Sequence, residues 1–239
     1  MTREHFLSDG ALKAIGATQI QGLPWALGKM IQARSVTGKI LCDRHNSGLS
    51  ILDQEAKRFM PAIQALFLIE GGPRGRHAFD GTLIERWMLK VLCGAAYSGN
   101  LVMDKPGAPS PKNHPPPLPL LEVIYGLKPL GSGGGLYVYT YPPSDPHYFS
   151  GNGLDIRVLT DAKGAIGGIS LQLGALFLHT QIGNLGTRNP SMQLLHRPKQ
   201  ILFQDEKGQD LLSIDLAWGS LVTGNVCLGV RRQAPERTT

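Results

Sequence analysis

Residues 103–119 read MDKPGAPSPKNHPPPLP, seven prolines in 17 residues. Proline lacks a backbone N–H and fixes φ, so this stretch neither continues a helix nor donates to a sheet. It reads as an extended, semi-rigid connector, and the apolar periodicity differs on its two sides. Upstream, apolar residues recur at three and four positions. The clearest case starts at Asp80: Leu83, Ile84, Trp87, Met88, Val91, Leu92 and Ala95 make one stripe, with Glu85, Arg86 and Lys90 expected on a solvated face or a partner surface. Ser8 and Asp9 are expected to cap a short helix that Gly16 ends. Ser50 is expected to cap a longer one carrying Leu52, Ala56, Phe59, Ile63 and Leu66, with Asp53 near its start and Pro61 kinking or splitting it. Residues 35–41 are expected to be extended.

Downstream the period changes. A short helix is expected near Pro119 to Gly126. Residues 136–141 (LYVYTY) are rich in strand formers, with Tyr137, Tyr139 and Tyr141 on one face, best read as a packed or half-exposed sheet surface. Leu154 to Val158 and Ile169 to Leu173 alternate around a turn at 161–164. Ile201 to Gln204 and Leu211 to Leu216 flank another turn at 205–208. Gly131 to Gly135 precedes a strand and lacks the lysine and following helix of a phosphate-cradling loop. The expected fold is α+β: a helical N-terminal module over 1–102, a Pro-rich linker over 103–117, and a mainly antiparallel β domain over 118–239.

Composition narrows the function classes. At 42% hydrophobic, the chain can build a core, which excludes wholesale disorder. The longest apolar stretch, Ala165 to His179, is too short for a membrane span and contains Ser170 and Gln172. The N-terminus shows no basic-then-apolar signal pattern, and Cys42, Cys93 and Cys227 are too few and scattered for a disulfide framework. A reducing cytoplasm is the expected compartment. Twenty-four basic against 18 acidic residues give a formal charge of +6, with small clusters at Arg74, Arg76 and His77 and at Arg231 and Arg232. Such a balance suits a polyanionic partner.

Two places near the start carry chemistry: Glu4-His5, and Leu41-Cys42-Asp43-Arg44-His45-Asn46 leading into Leu49-Ser50-Ile51-Leu52-Asp53. Cys42 and His45 have the spacing of half a tetrahedral zinc site. On the residues alone, Cys42 is equally a small buried hydrophobe and Asn46 a hydrogen-bonding residue at a helix entry. Taken together, Glu-His near a strand end followed by Leu-Cys-x-x-His-Asn opening a helix resembles the HNH endonuclease family with its treble-clef ββα-metal motif. The run onward through Phe79-Asp80-Gly81 to Glu85-Arg86-Trp87 is similar to uncharacterised bacterial proteins with an HNH-like N-terminal region.

The resemblance implies metal-dependent hydrolysis of a phosphodiester. His5 would be the general base, Glu4 and Asn46 would be oxygen ligands of Mg²⁺ or Mn²⁺, and Cys42 and His45 would be ligands of a separate structural Zn²⁺. The family's upstream Cys-x-x-Cys pair has no counterpart in the three residues before Glu4. His5 and Asn46 are also 41 positions apart, long for a compact ββα hairpin, so either the intervening chain is a surface excursion or the site does not close. The expected function is nucleic-acid binding, DNA rather than RNA, with endonuclease activity. The alternative is a non-catalytic interaction protein on a decayed nuclease scaffold, contacting a protein partner through the β domain.

Overall fold

The computed structural model describes residues 4–5, 7–17, 19–23, 29–38, 41–68, 75–97, 115–140, 154–161, 165–174, 176–183, 195–204, 209–219 and 227–231. The helices are α1 (Asp9–Ala14), α2 (Asp43–Gly48), α3 (Ser50–Leu68), α4 (Gly81–Tyr97) and α5 (Leu118–Ile124). The strands are β1 (Glu4–His5), β2 (Gln19–Gln21), β3 (Ile31–Gln32), β4 (Thr37–Gly38), β5 (Gly75–Asp80), β6 (Gly135–Thr140), β7 (Leu154–Thr160), β8 (Ile166–Leu173), β9 (Leu176–Gln181), β10 (Leu195–His196), β11 (Gln200–Gln204), β12 (Asp210–Ala217) and β13 (Cys227–Arg231). The protein is mixed α+β with a large, mostly antiparallel sheet. Residues 103–114 of the expected linker, Tyr141, and the turns at 162–164 and 205–208 lie outside the described residues.

Local sequence explains the helix starts. The Ser8 side chain accepts from the Ala11 N–H at 3.3 Å and Asp80 Oδ1 from the Leu83 N–H at 3.0 Å, each satisfying one amide that the first turn cannot pair internally. Helix α3 runs as one element through Pro61, so the proline does not split it. Its apolar face holds it in place, since Leu52, Ala56, Phe59 and Ile63 are all fully buried.

The seven-stranded sheet has the order β10-β6-β9-β8-β7-β2-β3, antiparallel except where β2 runs parallel to β7. The four-stranded sheet has the order β13-β11-β12-β5; its β11–β12 hairpin is antiparallel, and β13 and β5 flank it in parallel. Strands from both sides of residues 103–117 therefore hydrogen-bond in the same sheets. The N-terminal hundred residues are not purely helical, because β2, β3 and β5 join sheets whose other strands lie after residue 117. One contiguous core joins α1, α3 and α4 to both sheets.

Helix α4 lies at the centre of that core, and this corrects the expectation of a solvated face. Glu85 is 3% exposed and Lys90 7%, while Arg86 is half-buried. Neighbours surround the helix, so its polar residues are paired instead of hydrated. Glu85 accepts two bonds from the Arg197 guanidinium, at 2.8 and 2.9 Å, and one from the Leu136 N–H at 2.7 Å. Lys90 donates to Asp53 on α3 at 2.6 Å. A buried charge is tolerable only with such partners.

Candidate functional site

Strand β1, which carries Glu4 and His5, pairs antiparallel with β4 in the register Glu4↔Gly38 and His5↔Thr37. Helix α2, which comes next after β4, carries His45 and Asn46. Along the chain α1, β2 and β3 lie between β1 and its partner β4. The side chains of Glu4 and His5 lie outside the described residues.

The 41-position interval between His5 and Asn46 is not a surface excursion. It contains α1, β2 and β3. Ile20 is fully buried in β2, and Leu23 is 1% exposed. This insert is part of the core because β2 is an interior strand of the large sheet.

Cys42 is the N-cap of α2 and makes no side-chain bond to the helix amides. Its Sγ instead lies 3.1 Å from His45 Nδ1, three residues on. Cap and N3 positions face one another across the first helical turn, so this spacing brings the two side chains together. Both are exposed and Asn46 is half-buried. Zn–S and Zn–N bonds at a tetrahedral ion place sulfur and nitrogen about 3.6 Å apart, so at 3.1 Å the pair stands at hydrogen-bond distance and not at the separation of two zinc ligands. Among the described residues no group of three or more His, Cys, Asp or Glu could hold a metal ion. The described donor set stops at two and does not make a complete zinc centre.

No side chain of α2 is buried. The helix is held by its junction with α3, where buried Leu49 donates to the Asn46 carbonyl at 2.9 Å. It is also held by a contact that the sequence did not signal. Tyr125, 80 residues away at the C-terminus of α5, donates its hydroxyl to the His45 carbonyl at 3.0 Å. Its ring meets the His45 ring edge-on at 6.0 Å. Burial, with the nearby Cys42 second, raises the Tyr125 pKa, so the phenol stays a donor.

A second concentration of polar chemistry lies on the large sheet. Cross-strand register sets Arg157, Ser170, His179, Tyr137 and His196 in one row across β7, β8, β9, β6 and β10. Sequence spacing did not connect these residues, because they come from five strands. Tyr137 and Tyr139 are buried, as a packed sheet face requires. Tyr139 stacks on Phe177 with centroids 4.6 Å apart. Burial pushes the His179 pKa down to about 4, leaving a neutral ring whose Nε2 lies 2.9 Å from the Gln181 amide nitrogen. The row is a structural network: Asp155 takes both Arg157 and Gln21, and the Tyr137 hydroxyl donates to the Gly133 carbonyl.

Compared with family models, with curated proteins and with solved structures, the chain matches none. No helix among the described residues is long and apolar enough to cross a membrane.

Proposed function

We propose that this chain is a nucleic-acid-binding protein built on a divergent HNH-like ββα module, and that the module hydrolyses phosphodiesters of DNA with a divalent metal ion in the cytoplasm. The observation that carries the reading is the β1–β4–α2 order, which sets the Glu4-His5 strand against the strand leading into the Cys42-x-x-His45-Asn46 helix. The formal charge of +6 supports a polyanionic partner. In this reading His5 takes the proton from the attacking water, and Glu4 and Asn46 are the oxygen donors to the ion. A bound Mg²⁺ or Mn²⁺ supplies charge stabilisation at the scissile phosphate.

Plasmid nicking with Mg²⁺ or Mn²⁺, comparing wild type with His5→Ala, tests the reading. Loss of the general base is expected to slow cleavage about 10²–10⁴-fold. DNA affinity is expected to fall steeply with salt, since each neutralised phosphate releases counterions. No cleavage by either protein ends the catalytic reading. A second reading is a non-catalytic scaffold that binds a protein partner. Near-stoichiometric zinc in the purified protein would count against that second reading.

A further inference from the structure

Helix α2 carries two of the proposed site residues, His45 and Asn46, and is capped by a third, Cys42, yet none of its own side chains is buried in the core. A six-residue helix is too short to hold itself in water. Its orientation must come from what it touches.

The contacts trace a path back to the centre of the molecule. Helix α4, nearly all buried, extends Arg86 so that its Nε donates to the Ile124 carbonyl at 2.8 Å. That carbonyl is among those left unpaired at the C-terminus of α5. The same terminus closes with the Leu127 N–H on the Glu122 carbonyl at 2.8 Å and Gly126 at φ +73°, a left-handed glycine cap. The Arg86 guanidinium lies against Gly126. Tyr125 sits between Ile124 and Gly126, so its direction is fixed on both sides. From there it reaches the His45 carbonyl at 3.0 Å and packs near Gly48, where an added Cβ would meet its ring at 3.8 Å.

We propose that Tyr125 is a positioning residue for the α2 end of the site: through its bond to the His45 carbonyl it transmits the rigid placement of α4 and α5 to Cys42, His45 and Asn46. The inference rests on the HNH-like reading for its catalytic consequence, but the clamp itself does not. It also makes α5, which follows the Pro-rich segment, a working part of the N-terminal module.

Tyr125→Phe is the test, because it keeps the ring and removes only the hydroxyl. Two readouts are taken on the full chain. The first is amide hydrogen exchange, where peptides covering 43–48 are expected to exchange about tenfold faster while α4 is unchanged. The second is nicking kinetics, where kcat is expected to fall about tenfold or more with KM for the plasmid unchanged, since misplaced groups cost rate more than binding. Unchanged exchange over 43–48 overturns the clamp. Faster exchange with unchanged kcat overturns its positioning role and leaves a purely structural bond. If the wild-type protein nicks nothing, the endonuclease reading falls while the exchange experiment still decides the clamp. Arg86→Gln, which removes the support beneath α5, is expected to raise exchange over 43–48 in the same way. Exchange unchanged in Arg86→Gln but raised in Tyr125→Phe would overturn the relay from α4.

Discussion

His179 shows how a tertiary neighbourhood gives one residue a property its sequence context lacks. Its ring lies in a row of side chains from five strands, and burial pushes its pKa from 6.5 down to about 4. The folded state then refuses a proton that the unfolded chain accepts. The stability contribution is complete above pH 6.5 and is lost as pH falls from 6.5 toward 4. The loss approaches about 3 kcal/mol at the acid end. Urea unfolding at pH 7 and pH 4.5 is expected to show wild type losing more stability than His179→Gln. Equal losses would mean that the imidazole is hydrated. Glu85 makes the same point with charge. Nothing in the helical stripe around it indicated a partner at Arg197, 112 positions away. Arg197 also holds a left-handed φ of 44°, unusual for a residue with a side chain. The bidentate bond to Glu85 accompanies that strained backbone.

Among the elements, α5 ends in a left-handed glycine cap. Gly126 takes a left-handed φ that glycine adopts without steric cost, and a Cβ there would approach the Arg86 guanidinium to 3.0 Å. Gly126→Ala is therefore expected to destabilise the protein by about 1–2 kcal/mol, read from the urea midpoint. A change under a few tenths would show that α5 shifts freely. The sequence made the helices legible where a cap and an apolar stripe coincided, Ser8 for α1 and Asp80 for α4, whereas Ser50, expected as a cap, is the first residue of α3 itself. Of the two outcomes expected at Pro61, a split did not occur, because the packed face of α3 outweighs a lost backbone bond. The sequence misjudged the polar face of α4, because a period of 3.6 shows which residues are apolar and not how many sides of a helix will be covered.

For the whole molecule, the sheets bind the two halves of the chain together. β2 lies beside β7, and β5 beside β12. The apolar face of the large sheet packs on α4, so a 118–239 fragment would expose it. Such a fragment, made alone, is expected to show no cooperative urea transition. A sharp transition with native-like near-ultraviolet dichroism would establish independent folding. The proposed site depends on the same interleaving, since α2 is held through α5.

The sequence by itself determined the α+β class, the helices with caps, the antiparallel hairpins and the local Cys42–His45 pair. These follow from contacts between residues a few positions apart, where spacing fixes geometry. Only the tertiary structure decided that the insert between His5 and Asn46 is core, that Glu85 is paired to Arg197, that five strands align Arg157, Ser170, His179, Tyr137 and His196, and that Tyr125 reaches α2. Each of those depends on which strands become neighbours and in what register. Pairing partners are chosen by the burial of whole faces, and that choice leaves no mark at the spacing of any single segment.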